Sequence, residues 1–290
     1  MFIGIDHGTT AIRFASATDE FKISRSEARE FTINDLARLG RIDEIEGIAL
    51  CYSMGDNFTA ITDITRLSNR GVVTQKGAGE HVGGGTRVFD EVAASGIPAV
   101  AIPGIHRGSD TDPRFKAYSH QTSPEKIGIA YHVSKDLGDT FVVSDTSSNT
   151  VTLLIKNGKI TGAFDACIFA PGTKHGALDV DAIRRVDSHL ETANEAFMHA
   201  GVSSTMAEDL RIRTIAMFAA MEIASMLLLA PDAKVALAGS CAPSIADEVQ
   251  SLLRSDIAVY DEWSASRGLS MIAEDIACGK KEILGIPVDI

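Results

Sequence analysis

A chain of 290 residues, 45% apolar and 23% charged, can bury a sizeable core and is long enough for two domains. Its net charge of −12 argues against a nucleic-acid partner, because duplex binding rests on neutralising phosphates with Lys and Arg. The four cysteines, at 51, 167, 241 and 278, fit neither a metal site nor a CxxC pair, so they read as small buried residues in a reducing, cytoplasmic setting.

The opening MFIGIDHGTT lacks the charged and apolar regions of a signal peptide. Residues 2–6 form an apolar strand ending in Asp6, followed by the turn His7-Gly8-Thr9-Thr10, a strand over 11–15 and a third near 21–23. Ser123-Pro124-Glu125 starts a helix with Pro at its first position, and Gly138 stops it. Residues 140–145 then repeat the opening: an apolar strand ends in Asp145, and a turn Thr146-Ser147-Ser148-Asn149 leads to a strand over 150–155. Asn157-Gly158 makes a hairpin to a third strand over 159–164. Asp6 and Asp145 stand almost half a chain apart, which points to an internal duplication with domains 1–138 and 139–290.

Ser188 with Glu191, and Thr205 with Glu208, have the spacing of capping boxes. The most apolar run, residues 214–230, falls short of the roughly 20 residues of a membrane span and contains Glu222, so it reads as a buried helix. A strand over 235–238, the turn Gly239-Ser240 and a helix from Pro243 follow, with Ile245, Val249, Leu252 and Leu253 on one face. A last helix carries Ala265, Leu269, Ile272 and Ile276 at helical spacing.

A tight turn rich in Gly, Ser and Thr presents N–H groups and hydroxyls in a concave cluster that suits an anion. A carboxylate at the strand end repels phosphate directly but can hold Mg²⁺, which then bridges phosphate oxygens. Two such loops across a cleft would grip a triphosphate, and Gly239 would let its backbone approach the adenosine without a Cβ in the way.

The run Ile5-Asp6-His7-Gly8-Thr9-Thr10 with Arg13 resembles the first phosphate motif of the acetate/sugar kinase, heat-shock chaperone and actin superfamily. Val143-Ser144-Asp145 through Thr150 resembles its second phosphate motif, with Ser147 at a Gly position, and residues 235–244 its adenosine motif, with Gly239-Ser240 for Gly-Gly. The resemblance implies an α/β fold of two duplicated ribonuclease H-like (actin-like ATPase) domains with an interdomain nucleotide cleft. The helices from Pro124 and from Ser264 would cross at the hinge. It also implies ATP and Mg²⁺ as cofactors, Asp6 and Asp145 on the metal, and Gly8, Thr9, Thr10, Arg13, Ser147, Ser148, Asn149, Gly239 and Ser240 on the nucleotide. The whole sequence resembles the methanogenesis marker protein 12 family, which implies a setting in methane metabolism.

Residues 115–124 resemble the F-D-T-A-F-H-Q-T-M-P signature of acetate kinases at Phe115, His120, Gln121, Thr122 and Pro124, and residues 172–176 resemble their G-T-R-S-G. Lys116 stands for the catalytic aspartate of those kinases and Lys174 for an arginine, so acetate kinase activity itself is not expected: a lysine lacks the planar fork. Asp6, Asp145 and Lys174 are the catalytic candidates, and His106, Arg107, Lys116, His120 and His175 the substrate candidates. His81, ahead of three glycines, reads as a ligand or a turn residue. Three readings stay open: a phosphotransferase on a small metabolite, an ATPase switch read by a protein partner, and a nucleotide-binding protein without turnover. No membrane partner is expected, and the resembling kinases imply a homodimer through the second domain.

Overall fold

The computed structural model describes residues 1–73 and 83–290, and His81 lies outside the described residues. The chain forms two compact units: residues 1–136 with 263–290, and residues 137–262. The sequence reading placed everything after 138 in the second half; residues 263–290 cluster with the first unit instead, because the last helix packs on the opening strand.

The first unit holds β1 (Phe2–His7), β2 (Ala11–Ala15), β3 (Glu20–Ser24), β4 (Gly47–Leu50), β5 (Ile61–Asp63), α1 (Gly84–Ala94), β6 (Ala99–Ala101), β7 (Ile105–His106), β8 (His120–Thr122) and α2 (Glu125–Leu137). The second unit holds β9 (Phe141–Thr146), β10 (Thr150–Lys156), β11 (Lys159–Phe164), α3 (Val180–Asp187), α4 (Ala193–Met198), α5 (Val202–Thr205), α6 (Glu208–Leu227), β12 (Lys234–Ala238), α7 (Ala242–Leu253) and β13 (Ile257–Val259). The chain then completes the first unit with α8 (Ser264–Ala277), β14 (Glu282–Ile283) and β15 (Ile286–Asp289).

The second unit's sheet runs β11-β10-β9-β12-β13, and the first unit's sheet contains β3-β2-β1-β4-β6, extended by β5, β15 and β14. Each therefore begins with an antiparallel meander, whose first strand pairs in parallel with the next strand along the sheet. This is the ribonuclease H-like sheet. Its occurrence twice in one chain bears out the duplication that the repeated opening pointed to, and makes this the actin-like ATPase fold that the family resemblance implied. The central strands β1 and β9 are covered on both faces, which is why they read as unbroken apolar runs ending in an acid. Stacked Phe14, Phe21 and Phe31 fill the core beside β2, with ring centroids 4.6 and 5.3 Å apart.

Glycines bring the two crossing helices of the first unit together. A Cβ on Gly268 of α8 would lie 1.8 Å from the Gly128 carbonyl oxygen of α2, and one on Gly4 of β1 would lie 1.9 Å from the Ser266 carbonyl oxygen. At the far end of the pair the Tyr131 hydroxyl donates to Asp275, which Lys135 also holds at 2.8 Å.

Several local readings are corrected. The capping box lies at Thr192 and Glu195, starting α4, whereas Glu191 accepts from Arg185 at 2.6 Å. Thr205 ends α5 by donating back to the Gly201 carbonyl at 3.0 Å, and α6 starts with no side-chain cap. Of the face predicted for α7, Ile245 and Val249 are buried and Leu252 is exposed. Cys51 and Cys241 are buried, but Cys167 in a turn and Cys278 at the end of α8 are exposed. Among the described residues no helix is long and apolar enough to cross a membrane.

Candidate functional site

In the second unit, pairing of β9 with β10 brings Asp145 to the end of a central strand, where it is 4% exposed. Ser147 Oγ donates to Asp145 Oδ1 at 2.9 Å and accepts the Ser240 N–H at 3.2 Å. The Cys241 N–H reaches back to the Thr146 carbonyl at 2.9 Å, so the first turn of α7 is tied to the turn that follows Asp145. Gly239 makes this junction with φ +94°, and a Cβ there would sit 2.2 Å from Asp145 Oδ1 and 2.3 Å from Ser147 Oγ. Only glycine meets both demands. The predicted Asp145, Ser147, Gly239 and Ser240 therefore come together around one helix start.

The turn is buttressed from behind by residues 170–175. The Thr173 N–H donates to the Ser147 carbonyl at 2.9 Å, and the Lys174 and His175 N–H groups both donate to the Ser148 carbonyl at 3.0 Å. Gly172 is required here too, since its Cβ would lie 2.4 Å from the Ser148 carbonyl oxygen. His175 stacks flat on Phe197, with centroids 4.7 Å apart, and its Nδ1–H donates to Asn149 Oδ1. His175 is thus buried and holds Asn149, while the Lys174 side chain is exposed beside the same turn.

The first unit repeats the plan with different partners. Asp6 is 4% exposed and lies 3.3 Å from Arg13 Nη1, and Gly8 leaves room for that guanidinium, since a Cβ would approach it to 2.8 Å. Thr9 and Thr10 are exposed at the tip. His7 stacks on Tyr52, and both its ring nitrogens face N–H donors, Ser53 N at 3.2 Å and Arg25 Nη1 at 2.5 Å. Burial, then the Arg25 charge, push its pKa down to about 3, against a smaller upward pull from Glu125, so the ring stays neutral at ordinary pH. The Cys51 thiol receives the His7 N–H at 3.1 Å; burial, then the Asp6 carboxylate, push its pKa up, which makes it an inert thiol.

Arg25, Glu125 and Lys126 escaped the sequence reading. Glu125 is a helix-start residue by pattern, yet its carboxylate is closed in and held by Lys126 at 2.8 Å and Ser123 at 2.6 Å. Burial opposes its charge, but Lys126 and Ser123 bring its pKa below the usual glutamate value. No periodicity separates such a residue from an exposed first-turn acid; a buried lysine beside it becomes visible only in three dimensions.

Of the residues proposed for a substrate, His175 stands at this turn of the second unit, and His106, Arg107, Lys116 and His120 fall in the first unit. His106 and His120 are cross-strand neighbours in the β7–β8 ribbon. The Gly108 N–H donates to His106 Nδ1 at 3.1 Å, so its Nε2–H donates to the Phe58 carbonyl at 3.1 Å. Arg107 donates to the Lys116 and Ala117 carbonyls at 3.0 and 3.2 Å, and Lys116 itself is half-buried. His106 and Arg107 thus fasten the 103–122 loop. Among the described residues no group of three or more His, Cys, Asp or Glu side chains could cage a metal. Mg²⁺ does not need one, because it is usually bound by one or two carboxylates together with waters and substrate phosphates. Asp145 in its glycine-walled turn fits that use. Asp6, at the equivalent strand end of the first unit, is paired with Arg13.

No family model matches the chain. It is similar in fold to an acetate kinase from Porphyromonas gingivalis, with TM-score 0.56 and 10% identity over 92% of this chain and 90% of that one. It is likewise similar to a glucokinase of the ROK family from Streptomyces griseus in complex with glucose and AMPPNP, with TM-score 0.51 and 14% identity over 94% and 99% of the two chains. In sequence it is 48% identical to a UPF0285 protein of Methanosarcina acetivorans and 44% identical to one of Methanococcus maripaludis, each over 99% of both chains. The chain belongs to the UPF0285 protein family.

Proposed function

We propose that this protein binds Mg-ATP and transfers the γ-phosphoryl group to a small metabolite, in a reaction linked to methanogenic metabolism. The observation that carries the reading is the convergence of Asp145, the Ser147-Ser148-Asn149 turn and the Gly239-led start of α7. The acid and the hydroxyl-rich turn there lie so close against the start of α7 that only a glycine fits at 239, which gathers a carboxylate and several hydroxyls at one strand end. The first unit presents the parallel turn, with Arg13 and the exposed Thr9 and Thr10 offering donors to phosphate. A glucokinase of the same fold was solved with AMPPNP, and the UPF0285 relatives come from methanogens, which supports the class of ligand and the setting.

Bound Mg²⁺ supplies charge neutralisation across the phosphate oxygens. Asp145 would hold that charge, Ser147 would fix the carboxylate's orientation, and the exposed Lys174 would face the transferring group. In the transfer, a lone pair on the acceptor oxygen forms the new P–O bond as the bridging P–O bond to ADP breaks.

The use of His106 and Arg107 in holding their own loop favours a second reading, in which water replaces the metabolite and a protein partner reads the nucleotide state. ADP release that depends on a metabolite panel supports the first reading; slow hydrolysis indifferent to metabolites supports the second.

Asp145→Asn tests the common core of both. The substitution preserves shape and removes the charge, so the melting temperature without ligand is expected to stay within a few degrees. The Mg²⁺-dependent part of AMPPNP affinity should fall by about tenfold or more, the size of one lost charge-assisted contact of about 1.5–3 kcal/mol. Unchanged Mg²⁺ dependence by calorimetry would remove Asp145 from the site.

A further inference from the structure

Glu222 lies in the middle of α6 with 1% of its surface exposed. Its Oε1 accepts the Ala170 N–H at 3.2 Å, and its Oε2 lies 2.7 Å from Thr152 Oγ1, which in turn lies 2.8 Å from Ser144 Oγ. Ser144 precedes Asp145 on β9. Ala170 opens the segment whose amides at 173, 174 and 175 clamp the Ser147-Ser148-Asn149 turn, and Thr150 Oγ1 holds the intervening Pro171 carbonyl at 2.8 Å. One buried carboxyl therefore grips both the strand that carries Asp145 and the buttress behind its turn.

We infer that Glu222 is a positioning residue that fixes the Asp145 turn through residues 170–175 and Ser144, and that loss of its proton loosens that turn. What the turn binds rests on the nucleotide reading above.

Burial together with the proton count supports this. A threonine hydroxyl carries one proton, so Thr152 cannot donate both to Glu222 and to Ser144. With the carboxyl protonated, Glu222 donates to Thr152 and Thr152 to Ser144, and every bond in the row is made. With the carboxylate, Thr152 turns to Glu222 and Ser144 donates to Thr152, so the row reverses with its bonds kept. What changes is that a charge now stands 1% exposed beside Asp165, and opening of the segment is what hydrates it. The groups facing Glu222 from β9 and β10 are the Ser144 and Thr152 hydroxyls, and from the segment after β11 the Asp165 carboxylate. On α7, Glu248 pairs with Arg213, more than two turns of α6 away from Glu222. Burial, and to a smaller extent Asp165, push the Glu222 pKa up to about 8, against the pull of the Thr152 and Ala170 hydrogen bonds. Because the folded value lies above the unfolded one, the folded state holds the extra proton between them. Stability therefore falls as pH rises from about 4.5 to about 8, the reverse of an ordinary paired carboxylate.

The test follows Mg-AMPPNP binding and amide protection factors in the second unit from about pH 6 to about pH 9.5. In the parent, the dissociation constant is expected to rise about fivefold across pH 8, the effect of partial opening around a buried charge. Protection of the Ala170, Thr173 and Lys174 amides should fall in the same interval. E222Q, which keeps an acceptor for Ala170 and a donor for Thr152 but has no proton to lose, should show neither change; E222L should bind weakly at every pH. A parent whose affinity and protection factors are flat across pH 8, or an E222Q that keeps the parent's profile, overturns the inference. If no nucleotide binds at any pH, the ligand reading fails by itself and the protection factors still decide the role of Glu222.

Discussion

Gly268→Ala is expected to lower the melting temperature of the first unit by roughly 10 °C, because a methyl group there has nowhere to go. Its Cβ would stand 1.8 Å from the Gly128 carbonyl oxygen and 2.6 Å from the Gly128 carbonyl carbon, backbone atoms that no rotamer change can move. Helices α2 and α8 would have to separate. That strips contacts from Leu269 and Ile272, both fully buried, and from β1, on which α8 lies through Gly4. Overpacking of this kind costs about 3 kcal/mol, and each kcal/mol shifts the melting point of a domain this size by about 2–4 °C. Gly96→Ala is the control. It alters a glycine of the same unit that, unlike Gly268, has a positive φ (+75°), but its Cβ would meet nothing within 4 Å. Only the backbone strain of about 1–2 kcal/mol is then expected. Equal losses in the two variants would mean that the helix crossing is looser than described.

Gly239→Ala should damage stability and ligand binding together. The residue sits at φ +94°, and its Cβ would collide with Asp145 Oδ1, Ser147 Oγ and the Thr146 carbonyl oxygen, at 2.2, 2.3 and 2.9 Å. Strain and collision together amount to about 2–4 kcal/mol. The turn can relieve them only by moving Ser147 off Asp145 or by pulling the start of α7 away from the Thr146 carbonyl. Either movement opens the convergence on which the nucleotide reading stands. Scanning calorimetry should show the stability loss, and titration with Mg-AMPPNP should show affinity reduced by more than tenfold, since each 1.4 kcal/mol is a factor of about ten. A variant that melts early but binds like the parent would place the nucleotide away from this turn.

The repeated strand–acid–turn opening made most of the fold legible. β1, β2, β9, β10 and β11 stand within a residue of where the apolar runs and the Asn157-Gly158 hairpin put them, because short strands bounded by turn residues leave few alternatives. Asp6 and Asp145 occupy equivalent strand ends for the same reason. The caps were less legible. Ser188-Glu191 and Thr192-Glu195 have the same spacing, and only the backbone path shows which box closes. The ownership of residues 263–290 was hidden because Gly4, Gly128 and Gly268, which let α8 lie on α2 and β1, carry no periodic signal of their own. His106, Arg107 and His175 looked available for a ligand as residue types. The folded chain uses the first two to hold a loop and the third to hold Asn149. Glu222 was read only as an interruption in an apolar helix, since one acid among apolar residues gives no hint that Ser144, Thr152 and Ala170 will converge on it.

Isothermal titration of the unmodified protein with ATP, with and without Mg²⁺, tests the central claim most directly. Saturable heat that requires Mg²⁺ is predicted. At a hundredfold excess over the dissociation constant it should be accompanied by about 2.7 kcal/mol of added stability, seen as a melting temperature several degrees higher. No heat and no shift at millimolar nucleotide in the presence of Mg²⁺ would contradict it.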